Sequence, residues 1–201
     1  EWITGATLAA FALLAISTGL KGIARLMQWL VPVMALLWVS TSLFVTFMNI
    51  NLLPDVIATI FRSAFGWREA ASGALGYTVS QALTAGFQRG MFSNEAGMGS
   101  TPNAAATAAS WPPHPAAQGI VQMIGVFTDT MMICSASAMI VLLAGPLSHS
   151  SGTAGIQLVQ EALVNLTGSW GAGFVSLIVS LFAFSSIVVN YVYAENNLIF
   201  L

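Results

Sequence analysis

Residues 90–106, GMFSNEAGMGSTPNAAA, gather the side chains in this sequence that are best suited to binding a polar ligand. They combine glycines with hydroxyls, amides and one carboxylate, Glu95, inside a stretch that is otherwise apolar. Glycine lets a backbone leave helical geometry, and a broken helix leaves N–H and C=O groups without intrahelical partners. The segment therefore indicates the binding of a small polar solute by backbone groups together with side-chain oxygens.

The candidate binding residues at this break share a short stretch of chain: Phe92, Ser93, Asn94, Gly97 and Gly99. We expect backbone groups near Ser93 and Asn94 to meet the ligand, and Phe92 to limit its side-chain size. Gln81 is a sixth candidate and shares a helical face with Thr84, where ordinary interhelical hydrogen bonding is its alternative role. For the whole segment, the alternative is a glycine-rich seam that packs helices together.

Three ionisable residues lie in or beside apolar stretches, namely Arg89, Glu95 and Asp129. A charge in apolar surroundings is costly unless it is paired. A continuous helix would separate Arg89 from Glu95, six positions later, whereas a break could bring them together. We predict gating or structural polar roles for all three, and contact with a ligand, proton or ion stays open for Glu95 and Asp129.

Ser185 and Ser186 place two hydroxyls next to each other in the last apolar stretch. The carbonyl of Phe182, four residues before Ser186, would be loosened from its helix if that serine competed for it. Hydroxyl and carbonyl oxygens suit a hard cation such as sodium. The alternative is that the serines pack against another helix.

The composition shows what surrounds these residues. Of 201 residues 57% are hydrophobic and only 6% are charged, against about 25% charged in soluble domains, so a lipid bilayer is the expected solvent. A net charge of -2 excludes the electrostatic attraction that nucleic-acid binding needs. His114 and His149 lack the spacing of a metal site, and Cys134 fits a small core residue.

Stretches long enough to cross a bilayer recur along the chain. We predict an all-α polytopic transmembrane bundle in a single domain over residues 1–201. Its predicted spans are 3–20, 27–50, 76–109 (broken near 93–99), 119–145 and 171–194, with surface helices at 54–66 and 156–166. Lys21 and Arg25 are expected in a cytoplasmic turn between the first two spans.

The stretch FSNEAGMGSTPNAAA, supported by GVFTDT at residues 125–130 and LFAFSS at 181–186, resembles the alanine/glycine:cation symporter family. The resemblance implies a leucine-transporter-type inverted-repeat fold, of which this chain would be a fragment covering about core helices four to eight. It also implies sodium-coupled symport of alanine or glycine by alternating access in a prokaryotic cell membrane. Na+ would be the coupling ion, with no other cofactor, and Phe182, Ser185 and Ser186 would contribute to its site.

Three other functions are alternatives to symport. A proton-coupled amino-acid permease stays open through Glu95 or Asp129, and a channel stays open because broken helices also build pores. An intramembrane hydrolase is disfavoured, because the sequence shows neither a nucleophile beside a base nor an HExxH motif.

Overall fold

The computed structural model describes residues 2–64, 75–145 and 155–200, and within these ranges it is helical and has no strand. In chain order the helices are α1 (Trp2–Ser17), α2 (Gly19–Met48), α3 (Leu53–Ala64), α4 (Leu75–Asn94), α5 (Ser100–Thr107), α6 (Pro115–Thr128), α7 (Ser135–Leu143), α8 (Ile156–Thr167) and α9 (Trp170–Phe200). A short 3-10 helix, Ile50–Leu52, precedes α3, and a π-helical segment, Asp129–Cys134, joins α6 to α7.

Three of the described helical stretches are long and apolar enough to cross a membrane: Gly19–Met48, Pro115–Leu143 and Trp170–Ile199. The apolar α1 has 16 residues, fewer than the roughly 20 that a span needs. Large apolar side chains stay exposed on all three stretches, such as Trp29 at 72%, Phe127 at 66% and Leu198 at 73%. An apolar surface of this kind suits lipid, so the prediction of an all-α membrane protein is confirmed, while the count of five spans stays a prediction.

The chain divides into two compact units. The first comprises Glu1–Thr41 and Ser148–Leu201. Here α1 and α9 pack together around a cluster of small and branched side chains: Ala12, Ala15, Ile23, Phe184 and Val188. The amphipathic α8 packs against α9 with Ala162 and Leu163 fully buried, and the ring of Trp38 stacks on that of Phe174 at 6.3 Å.

The boundary in this unit that differs most from the sequence prediction is the start of α2, at Gly19 and not near residue 27. Lys21 and Arg25, expected in a turn, lie within the first two turns of α2. The chain leaves α1 at Thr18, and Gly19 follows with a φ of +70°, a left-handed conformation that commonly ends helices and that glycine adopts without strain. Lys and Arg are good helix formers, so α2 begins before them.

The second unit, Ser42–Leu147, contains the end of α2 and helices α3 to α7. The buried hydroxyl of Ser42 donates to the carbonyl of Ala136 over 2.9 Å and ties α2 to α7. Val45 and Ile140 are fully buried in this unit. These contacts hold α7, and with it the π-helical segment that precedes it in the chain.

Candidate functional site

The helix that the sequence predicts to break does so between α4 and α5. α4 ends at Asn94, α5 begins at Ser100, and residues 95–99 between them are not helical. Glu95 has a φ of +53°, the one non-glycine residue with positive φ in the described part of the chain. Within the turn, the Met98 amide donates to the Glu95 carbonyl over 3.1 Å.

Local sequence chemistry explains both ends of the interruption. The side-chain carbonyl of Asn94 accepts a hydrogen bond from the Ala96 amide over 3.1 Å, a local bond that competes with helical pairing. Gly99 caps α5 with a φ of +95°, which glycine adopts at little cost. Pro102 lies in the first turn of α5, where its missing N–H leaves no helical bond unmade.

Asn94 connects the parts of this site. Its side-chain nitrogen donates to the Gly90 carbonyl at 3.1 Å and to the Thr130 hydroxyl at 3.0 Å. Its backbone carbonyl accepts from the hydroxyl of Thr101, in α5, at 2.9 Å. A single side chain and its own backbone thus join α4, the break, α5 and the π-helical segment.

Ser93 makes the second connection to the π-helical segment. Its hydroxyl donates to a carboxylate oxygen of Asp129 at 2.5 Å and lies 2.8 Å from the thiol sulfur of Cys134. Thr130 and Cys134 were not among the residues that the sequence singled out as binding candidates. An α-helix separates residues five positions apart by about 140°, whereas a π-helix pairs residue i with residue i+5, so α-helical periodicity could not predict that Asp129 and Cys134 meet the same hydroxyl.

The structure therefore brings Ser93, Asn94 and Asp129 together, in consecutive pairs 93–129 and 94–130. Gly97 and Gly99 lie exposed in the break, and Phe92 is 70% exposed on the last turn of α4. The side chains of Gln81 and Arg89 lie outside the described residues, although their backbones belong to α4. The role of Gln81 and a pairing of Arg89 with Glu95 remain predictions.

The three candidate cation-binding residues lie in α9, in the first unit. The hydroxyl of Ser185 donates to the Phe182 carbonyl over 2.9 Å, and Ser185 is buried while Ser186 is exposed. The sequence raised the possibility that Ser186 competes for this carbonyl, and in the structure Ser185 donates to it. Serine can bond the carbonyl three as well as four residues back, so spacing alone does not decide between the two.

Histidine has a structural role in the described part of the chain. The Nδ1 atom of His114 accepts from the Ala116 amide at 3.1 Å and caps α6, whose first residue is Pro115. Among the described ranges, no three His, Cys, Asp or Glu side chains converge as a metal site would require. Ser185, Ser186 and the carbonyl of Phe182 remain the predicted contacts for sodium, and contact of Asp129 with an ion or solute stays open.

Comparison with known proteins matches residues 1–201 to the model of the Sodium:alanine symporter family. The chain is 69% identical over 99% of its length to "Uncharacterized transporter YaaJ" of Escherichia coli (strain K12). Two Bacillus subtilis (strain 168) proteins are 47% and 44% identical over 91% and 99% of it, "Probable sodium/glutamine symporter GlnT" and "Amino-acid carrier protein AlsT". The chain spans 42%, 37% and 41% of the lengths of these relatives.

Proposed function

Because the chain belongs to the sodium:alanine symporter family, we propose that it forms part of a sodium-coupled symporter of small neutral amino acids, such as alanine and glycine. The family and its named relatives are transporters and not enzymes. The substrates, the coupling ion and the membrane in which it works belong to this proposal. We place the protein in a prokaryotic cell membrane.

The observation that carries the proposal is the interruption at residues 95–99, between two helices of a membrane transporter. Broken helices survive in a bilayer only where protein or a watery cavity receives their free polar groups. The N-terminal end of α5 carries partial positive charge that suits a carboxylate, and its capping residue, Gly99, has no side chain with which to cap the first N–H groups of the helix. An amino-acid carboxylate at this end, with backbone groups near Ser93 and Asn94 meeting the rest of the substrate, accounts for these features.

Sodium coupling rests on different residues. Ser185 donates its one hydroxyl proton to the Phe182 carbonyl, so its oxygen lone pairs stay available to a cation. Ser186, exposed one position later, supplies a second hydroxyl. Coupling to sodium also agrees with the name of the relative that is 47% identical, a probable sodium/glutamine symporter.

We propose that the whole protein has a leucine-transporter-type inverted-repeat fold, with this chain as core helices four to eight. The broken helix α4–α5 would be the sixth, the span from α6 to α7 the seventh, and α9 the eighth. The surface helix α8 lies between the last two in the chain. The predicted five spans, including α1 and the broken helix, belong to this scheme.

Proton coupling is the second candidate. A relative 36% identical to this chain is named "Putative sodium/proton-dependent alanine carrier protein YrbD", and Glu95 and Asp129 are carboxylates at the break and on the adjoining segment. The Ser93 hydroxyl already donates to a carboxylate oxygen of Asp129 over 2.5 Å.

Uptake by the full-length protein in proteoliposomes tests the proposal. We expect saturable, stereoselective uptake of labelled alanine that requires an inward sodium gradient and stops when choline replaces sodium at fixed pH. Uptake that continues in choline and follows a pH gradient would instead establish the proton-coupled permease. Flux that neither saturates nor responds to either gradient would indicate a channel. Competition by glycine, D-alanine and glutamine then defines the substrate class.

A further inference from the structure

We infer that Asp129 is a positioning residue, which fixes the substrate-binding end of α4 through the hydroxyl of Ser93 without itself contacting the ion. The inference rests on the proposed transport function, because it assigns a role within that site. The π-helical segment Asp129–Cys134 would then fix the position of the broken helix at the end of α4.

Two consecutive residues at the end of α4, Ser93 and Asn94, bond to two consecutive residues of the π-helical segment, Asp129 and Thr130, at 2.5 and 3.0 Å. Two adjacent bonds fix both the position and the rotation of the helix end, as one bond would not. The non-helical residues 95–99 begin at the next position, so any displacement of this end moves the backbone groups offered to the substrate.

The hydrogen bonds around Ser93 have a defined direction. The Ser93 hydroxyl has one hydrogen, and Asp129, as a carboxylate, can only accept. Ser93 therefore donates to Asp129, and the short contact between Ser93 and Cys134, 2.8 Å, must be donated by the thiol. The result is an oriented chain of two hydrogen bonds, from Cys134 through Ser93 to Asp129, which leaves the serine hydroxyl no freedom to turn toward a substrate.

The Ser93–Asp129 bond is the stronger of the two adjacent bonds, because a hydrogen bond to a charged acceptor is about twice as strong as a neutral one. In enzymes, a misplacement of about 1 Å at the reacting site can cost about a hundredfold in rate. Loss of the Asp129 carboxylate should therefore weaken substrate binding, and loss of the Ser93 hydroxyl should weaken it at least as much, because it removes the same bond.

A double-mutant cycle in the full-length protein tests the inference. We expect Asp129→Ala to raise the KM for alanine about tenfold, and Ser93→Ala, which also loses the contact with Cys134, to raise it by at least as much. The double variant should match Ser93→Ala alone, because both changes remove the Ser93–Asp129 bond. Maximal uptake per folded protein should stay within about twofold of wild type. Asp129→Asn, which keeps an acceptor oxygen, should recover part of the affinity, and Ser135→Ala, an exposed serine just after the segment, should leave the KM unchanged.

Two results would overturn the inference. A double variant whose KM rises by the product of the single effects, about a hundredfold, would show that the residues act independently. An Asp129→Ala variant that raises the sodium concentration for half-maximal uptake, when Ser93→Ala does not, would make Asp129 an ion ligand.

A second measurement separates this inference from the proposed function, because it requires no transport. The melting temperatures of the purified wild type, both alanine variants and the double variant form the same cycle. Non-additive shifts support the Ser93–Asp129 tie, and if alanine uptake is nevertheless absent, the proposed function alone fails. Additive shifts refute the tie even where sodium-driven uptake is intact.

Discussion

The side-chain nitrogen of Asn94 donates to the hydroxyl of Thr130 over 3.0 Å, so the last residue of α4 is bonded to the π-helical segment 36 positions later in the chain. The same side chain bonds its own helix and the first turn beyond it. Asn94 is thus occupied by structural bonds, and its side chain holds the break open. This leaves backbone groups, and not the Asn94 amide, as the candidates for meeting a substrate.

Replacing Asn94 tests this structural role. Asn94→Ala removes three side-chain hydrogen bonds, each with a net contribution of about 1 kcal/mol, and should lower the free energy of unfolding by about 2 to 3 kcal/mol. The melting temperature of the purified full-length protein measures the loss. Asn165→Ala, at an exposed position of α8, is the matched control and should change it little. An equal effect of both changes would contradict the role.

Replacement by alanine should change the stability in opposite directions at Gly99, which has a left-handed conformation, and at Gly86, which lies inside a helix. A Cβ at Gly99 meets no atom within 4 Å, so the cost of Gly99→Ala comes from its φ of +95° alone and should be about 1 to 2 kcal/mol. Gly86→Ala also meets open space, but lies inside α4, and should stabilise by about 0.5 to 1 kcal/mol. Thermal unfolding of the two variants checks the signs, and stabilisation by both would mean that the helix is continuous.

Glu95 allows the backbone and the carboxylate to be tested separately. Its φ of +53° is costly for any residue with a Cβ, so Glu95→Gly should be more stable than Glu95→Ala by about 1 kcal/mol. Glu95→Gln keeps the shape and removes the charge, so its uptake rate reports the carboxylate alone. An alanine variant at least as stable as the glycine variant would show that the turn does not hold this conformation.

Cys134 offers a rescue experiment. Cys134→Ser keeps a donor for the Ser93 hydroxyl and should retain the KM for alanine. Cys134→Ala removes the donor and should raise the KM by about three- to fivefold, as expected for one neutral hydrogen bond. Uptake kinetics in proteoliposomes measure both variants. Equal KM values for alanine and serine at this position would remove Cys134 from the hydrogen-bond chain.

The serines of α9 should control sodium and not alanine. Ser185→Ala and Ser186→Ala should each raise the sodium concentration for half-maximal uptake by about tenfold, as for loss of one oxygen bound to a charge, with the alanine KM at saturating sodium unchanged. Ser180→Ala is the control, because the Ser180 hydroxyl bonds the carbonyl of Ser176 one turn earlier. A sodium dependence that no variant alters would refute the proposed ion site.

Parts of the site could be read from the sequence because they depend on local chemistry. The glycines, two asparagines and proline within residues 90–106 are unfavourable inside a continuous helix, and the interruption at residues 95–99 lies among them. The exact partner of the Phe182 carbonyl could not be predicted, because serine can bond three or four residues back. The predicted start of α2, at residue 27, was also wrong. Lys21 and Arg25 are good helix formers, and they lie inside α2 and not in the expected turn.

The sequence by itself determined the solvent and the place of the break, since a chain with 57% hydrophobic and 6% charged residues needs a bilayer, and a cluster of glycine and polar residues within it cannot remain regular helix. Only the tertiary structure decided what holds the break. The pairs Ser93–Asp129 and Asn94–Thr130 join residues 36 positions apart, and the contact with Cys134 needs a π-helical turn. The 3.6-residue periodicity of a sequence does not predict these contacts, because they form only when two helices pack against each other.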